Sequence, residues 1–460
     1  LAPGQYITLD GLAFHAARVD LRGLEHLTIQ NCDFLYSVCS KRTLGSTADA
    51  GNNTFDGCHN LVLFNNTFQY CDGKSLVANR ANYARIENCL FYMIDYAAIA
   101  GGSNSYTIQM EGGKNIVYRR NEINTSGASE GMRISGPFDA PVLVELNFHT
   151  RTGQFQTDGA SVQYPPNGNV NSINRFNWFV DVNRMAFRFD GNPGGEWGIV
   201  YRNISALGGY RGYRFKGDNH QIFHIIAMDN RRTKSSDISI SDNKGPKRYD
   251  DKANQHSRIL NSISQKSNLK DNLITEANRN PNWNGPVDGK DIRSLLRDPD
   301  NYDFRPRKGS PLIDKGVVID HVRIRTKDEP ILSEGTKRML DISKSFNGKA
   351  PDIGAYEYGD TSYWIPGRIM PQASRAVPRD ATKTAKVDAD LMWLHGRNAK
   401  QHKVYLGTSK GALKLVATQT NNIYTPAAQW TAGKTYYWRV DTVTKDGKTV
   451  TGTIWSFTCK

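Results

Sequence analysis

No apolar run in this chain of 460 residues approaches the ~20 needed for a membrane-crossing helix, so no membrane span is expected. Apolar residues at i, i+3, i+4 and i+7 are also missing, which excludes a helix-rich repeat. Cysteine is sparse: Cys32, Cys39, Cys58, Cys71, Cys89 and Cys459 match neither a zinc pattern nor a CxxC redox pair, and a Cys58–Cys71 disulfide stays open. No recognised nucleic-acid reader motif is present, so nucleic acid is not an expected partner. A secretory leader is lacking too. The chain opens on LAPGQYITLDGLAF, already strand-like, and is expected to be a processed or truncated product whose first coils are missing.

Positive charge is in excess. Lys and Arg total 59 against 45 Asp and Glu, a formal net charge of +14, which favours a polyanionic partner such as an acidic polysaccharide. Short runs of β-branched and aromatic residues recur and end in Asn or Cys: HLTIQNCDF, NLVLFNNTF, YARIENCLF, IVYRRNEI, VLVELNF, INRFNWF, IVYRNIS and ILNSI. Aligned, they put Cys32, Asn66, Cys89, Asn121, Asn147, Asn177, Asn203 and Asn261 in one column, with Ala227 filling the gap. Coils stacked ~4.8 Å apart turn a repeated Asn into a ladder of amides bonded to neighbouring turns. Cys32 and Cys89 then read as small buried packing residues.

A second repeat lies between Glu130 and Asp218: EGMRISG, DGASVQY, MAFRFDG and RGYRFKG, about 25 to 28 residues apart. Overlaid by their letters, they put Met132, Ala160, Phe187 and Tyr213 in one inward column and Ile134, Val162, Phe189 and Phe215 in another. Arg133, Ser161, Arg188 and Arg214 lie between these columns, followed by Ser135, Gln163, Asp190 and Lys216, a ladder of basic and polar groups facing water. Glu130 and Asp158 share a position before the Gly that opens their strands, and Asp190 sits on the next rung. Carboxylates within ~5 to 9.5 Å of one another suit glycoside hydrolysis, one as acid and the other as nucleophile or base. On this overlay Asp158, stacked under Glu130, holds the proton, while Asp190 stays ionised beside Arg188 or Arg214. The competing structural reading is turn-capping by Glu130 and Asp158 with Asp190 merely ion-paired. A structural calcium between Glu130 and Asp158 is the one cofactor considered; it has no loop motif behind it.

Strand–turn coils with an Asn/Cys ladder resemble the right-handed parallel β-helix of pectate-lyase-like proteins. NYDFRPRKGSPLIDKG (301–316) and APDIGAYEYG (350–359) resemble a closing segment of bacterial β-helix proteins. The resemblance implies an all-β chain: a right-handed parallel β-helix over 1–360, a linker over 361–376 and a small β-sandwich over 377–460. In the last part, VYLGTS…TYYWRVD…WSF resembles fibronectin type III-like modules of bacterial secreted enzymes, which implies a secreted or cell-surface location. Trp393, Tyr405, Tyr437, Trp438 and Trp455 are expected in that module's core, with a hairpin at Asp446-Gly447. FHTRTGQFQTDGASVQ and RFNWFVDVNRMAFRFDG resemble segments of bacterial β-helix glycosidases. That implies catalysis by Asp158 and Asp190, then Glu130, with His149 and Arg188 touching substrate and Arg133, Gln163, Tyr213, Arg214 and Lys216 lining the groove. Two other readings stay open. A lyase would use Arg188, Arg214, Lys216, Tyr213 or His149 to neutralise a uronate and take its proton. A non-catalytic surface or filament protein would use the same scaffold as a spacer. Polar loops over 229–300 are expected to wall the groove.

Overall fold

The computed structural model describes residues 6–38, 51–96, 106–128, 130–137, 139–155, 158–166, 168–190, 196–228, 237–240, 257–264, 267–268, 291–328, 335–340, 342 and 346–460. Short strands wind into three parallel sheets of ten, ten and eight strands, a parallel β-helix. The first sheet runs from Ile7–Asp10 to Arg258–Leu260, the second from Ala13–His15 to Ile263–Ser264, the third from Leu76–Val77 to Ser267–Asn268. The inside is filled by columns of like residues. Phe14, Phe34, Phe68 and Phe91 stack at centroid distances of 4.8, 4.4 and 5.0 Å, the spacing of adjacent coils.

The Asn column holds the turn between the first and second sheets. Asn147 Oδ1 accepts from the Asn121 backbone N–H at 2.8 Å, and Asn147 Nδ2 donates to the Tyr118 carbonyl at 3.0 Å. Asn177 and Asn203 repeat this pattern, and Asn66 and Asn121 do so against Cys32 and Cys89. Every rung thus satisfies a buried turn amide that the strand ladders leave unpaired. The preceding residue turns the chain in the left-handed region, as at Asn31, Asn65 and Asn88 with φ of 54°, 55° and 57°. The column ends differently from the expectation. Tyr201, Phe223 and Leu260 are in register, so the successors of Asn203 are Ile225 and Ser262, not Ala227 and Asn261. Ser262 Oγ accepts from the Ile225 N–H at 3.3 Å, while Asn261 occupies the left-handed turn and bonds both backbone groups of Val317. Cys58 and Cys71 are buried free thiols, not a disulfide. Burial pushes the Cys89 thiol up to about 12, as suits an inert packing residue.

The later strands of two sheets are covered on their outer faces. On the second, Phe148, Trp178, Ile204 and Ile226 pack under Leu295, Phe304, Ile353, Tyr356 and Tyr363 of the closing segment and Val377, Met392 and Leu394 of the C-terminal module. On the first, Ile199, Tyr201, Phe223 and Leu260 lie under Ile319, Val322 and Ile342. The stretch expected to be a linker is strapped to the coils: Ile369 exchanges hydrogen bonds with the Asn88 side chain, and Arg375 pairs with Glu122 at 2.7 Å. A three-stranded and a six-stranded sheet close a small β-sandwich around Trp393, Trp438 and Trp455, with Tyr405 and Tyr437 half-buried. The first sheet's middle strands carry an ion-paired ladder, Glu87, Arg119, Glu145 and Arg175, in which each charge has a partner on the next coil, and the third sheet carries a second charged outer face.

Deleting a rung should cost more than its size suggests. Asn147→Ala orphans the Asn121 N–H and the Tyr118 carbonyl and should lower unfolding free energy by about 2–4 kcal/mol. Cys89→Ser keeps a small polar atom in place and should cost less than about 1 kcal/mol. Urea unfolding measures both; equal losses would remove the ladder from the account.

Candidate active site

Register decides which side chains share this face. On the third sheet Gln109, Arg133, Gln163, Arg188 and Arg214 pair in sequence across the coils. Val162, not Ala160, therefore lies beside Met132 and Phe187, two residues away from the expected overlay. The glycines explain the slip. Gly131 sits inside its strand, where a Cβ would meet the Ser161 carbonyl oxygen at 2.6 Å, whereas Gly159 is a turn residue at φ 97°. Glu130 consequently falls level with Ala160, and Asp158 lies before the strand rather than stacked under Glu130. Ser161 and Val162 both face inward, Ser161 against Thr152, so alternation breaks at this corner. That break lets Glu130 and Arg133 share the outer face.

Arg188 is the hub. Its guanidinium reaches Asp158 Oδ1 at 2.9 Å and Asp190 Oδ2 at 2.7 Å, with only 8% of the side chain exposed. Lys216 Nζ donates to Asp190 Oδ1 at 2.6 Å and Gln163 Nε2 to Asp190 Oδ2 at 3.4 Å. Asp190 is thus held on both oxygens. Asp158 is held on one, Oδ1, which also accepts the Gly159 N–H at 2.8 Å, and its side chain is 57% exposed. Glu130 is buried; Arg133 is its nearest ion-pair partner at 3.9 Å, and Oε2 accepts no hydrogen bond among the described residues. Arg133 itself is drawn to Glu111 at 2.7 Å and lies over the Tyr106 ring. On the other flank Arg184 and Arg211 lie over Tyr210.

The three carboxyls have separate electrostatics. Burial pushes Glu130 up to about 8, against the pull of Arg133 and Arg188 and with help from Asp158 and Asp190. Burial also acts on Asp158, but the Gly159 N–H, Arg188 and Arg184 outweigh it and hold that carboxyl below the usual range. For Asp190, Arg188 and Lys216 likewise outweigh burial and lower it. Glu130, not Asp158, therefore carries the proton at neutral pH. One neutral carboxylic acid beside ionised carboxylates is a pairing that general acid chemistry needs.

Two expected substrate contacts lie inside the core. His149 is fully buried between Tyr118 and Phe179 and pushed down to about 3 by burial. Tyr213 is fully buried among Phe187 and Phe215, because its column is the inward one. Tyr106, Glu111, Arg184, Tyr210 and Arg211 share the charged face, and only their place two to four residues from Gln109, Arg188 or Arg214 in the column marks them in the sequence. Asp158 bonds Arg188 from a position before its strand, and no group of three potential metal ligands gathers among the described residues. Most of the loops expected to wall the groove, at 229–236, 241–256 and 269–290, lie outside the described residues, as does Cys39.

The raised Glu130 makes a signed prediction. Its folded pKa lies above the unfolded value, so its stabilising contribution is complete below about pH 4.5 and disappears as pH rises through about 8. Glu130→Gln removes that dependence. Thermal midpoints taken from about pH 5 to 9 should fall more steeply for the native protein than for Glu130→Gln; parallel curves would mean that Glu130 is ionised throughout.

The chain matches no model of a known protein family and no curated protein, so its function has to be argued from this constellation of side chains.

Proposed function

We propose that the third sheet hydrolyses a glycosidic bond in an acidic, sulfated or uronate-containing glycan, as a secreted or cell-surface enzyme. The observation that carries this reading is the buried Glu130, whose Oε2 accepts no hydrogen bond among the described residues, on the coil next to Asp158, a carboxylate with one oxygen not engaged by the described residues. Glu130 would protonate the leaving oxygen. Asp158, through Oδ2, would act as nucleophile or as base on water. Asp190, held by Lys216, Gln163 and Arg188, serves as a positioning residue that keeps Arg188 aimed at Asp158. Arg133, Arg214 and Lys216 supply the cationic surface that an acidic glycan needs, Arg by forked hydrogen bonds.

A lyase is the second reading, favoured by Lys216, whose pKa burial lowers with help from Arg188 and Arg214. It is weakened because two of its expected bases, His149 and Tyr213, lie in the core. The same burial counts against any role for them in substrate contact.

Glu130→Gln and Asp158→Asn should each lower kcat by roughly 10²–10⁴-fold with the fold intact. The rate should fall as pH rises through about 8, where Glu130 loses its proton. Assay on a panel of sulfated and uronate-rich glycans should give new reducing ends without the ultraviolet absorbance of an unsaturated uronate. That absorbance would establish the lyase instead, and silence across the panel would favour a non-catalytic surface protein.

A further inference from the structure

A second concentration of positive charge lies away from the third sheet. Where the closing segment meets the sandwich, two adjoining cavities of ≈ 350 and ≈ 620 Å³ share Arg297 and Tyr358. Arg293, Arg297, Arg307, Lys308 and Lys386 line the larger, against one carboxylate, Asp388. Some of these cations have structural work. Arg297 and Arg305 both reach Asp390 Oδ2, at 2.8 and 2.7 Å, and Arg305 also takes Asp303 at 2.7 Å, which clamps the sandwich to the helix. Arg293 pairs with Asp300.

Arg307, Lys308 and Lys386 have no such work. All three are exposed, and none has a carboxylate within ion-pairing distance among the described residues. The first two follow the strand Asp303–Pro306, and the third follows Thr382–Ala385 of the sandwich. Cations from two modules therefore converge on one concavity, where their charge outnumbers that of Asp388 and favours an anion. Tyr358, 37% exposed, supplies a half-apolar wall.

We propose that this junction is a second binding site, which takes a sulfate or carboxylate group of an acidic glycan outside the catalytic face. The glycan as source rests on the function proposed above; the oxyanion chemistry rests on the junction alone. A free inorganic anion would offer the same chemistry, and the experiment separates the two.

Calorimetric titration of the full chain with a size-defined sulfated oligosaccharide at low salt is the test. The variant Arg307→Ser/Lys308→Ser/Lys386→Ser should lose roughly tenfold in affinity. A control with exposed lysines elsewhere on the sandwich, Lys400→Ser/Lys410→Ser/Lys414→Ser, should stay within about twofold, and both should keep the native unfolding midpoint. Inorganic sulfate at equal sulfate concentration should compete poorly. Loss of less than about twofold in the junction variant, or equal loss in the control, overturns the site; full competition by inorganic sulfate overturns the glycan as its ligand. If no glycan is turned over by the native protein but the junction variant still loses affinity, the hydrolase reading fails and the second site stands.

Discussion

Coils stacked in parallel tolerate no slip, because a shift of one residue would turn every side chain of a strand to the opposite face. Here the register is pinned by the amides of Asn66, Asn121, Asn147, Asn177 and Asn203, each bonding the backbone of the coil before it. Strand hydrogen bonds alone would hold the sheets together, but they are indifferent to which residue meets which. The Asn side chain is specific: it has one acceptor and one donor edge, and the turn above offers an orphan N–H and an orphan carbonyl at the matching separation. Everything on the outer faces inherits its place from that column.

The charged face illustrates the consequence. Glu130, Asp158 and Asp190 belong to successive coils of one sheet and yet take different protonation states. Burial and distance to a guanidinium decide together, the Glu130 side chain being 4% exposed and that of Asp158 57%. Asp158 and Asp190 have Arg188 at 2.9 and 2.7 Å, close enough for attraction to outweigh burial. Glu130 has Arg133 only at 3.9 Å, and Arg133 is committed to Glu111 at 2.7 Å, so burial wins. A fixed register thus separates a neutral acid from ionised carboxylates on one face.

The fold was legible because its determinants repeat. Asn or Cys at one site of most coils and short apolar runs of period two leave few alternatives to a parallel stack, and Trp393 and Trp438 mark the sandwich core. The failures came where one letter serves two backbone roles. Gly131 packs inside a strand and Gly159 turns a loop at φ 97°, so aligning them shifted one rung by two residues and misplaced Asp158 and Gln163. Parity failed at the corner where Ser161 and Val162 both face in, a local bend that no pattern of polarity marks. His149 suggests substrate contact by its chemistry, but its column neighbours, Ile123 and Phe179, are apolar and inward. Which carboxyl keeps a proton depends on differences of about 1 Å in charge separation, below what any sequence pattern expresses.

The central claim is that Glu130 is a neutral acid at the pH where Asp158 and Asp190 are ionised. Infrared titration of protein carrying ¹³C-labelled glutamate reads it directly, with Glu130→Gln supplying the difference spectrum so that Glu357, also raised by burial, cancels. The account predicts a protonated-carboxyl band belonging to Glu130 that persists at neutral pH and disappears as pH rises through about 8. A difference band already gone near pH 5 would contradict it, and with it the assignment of acid and base on this face.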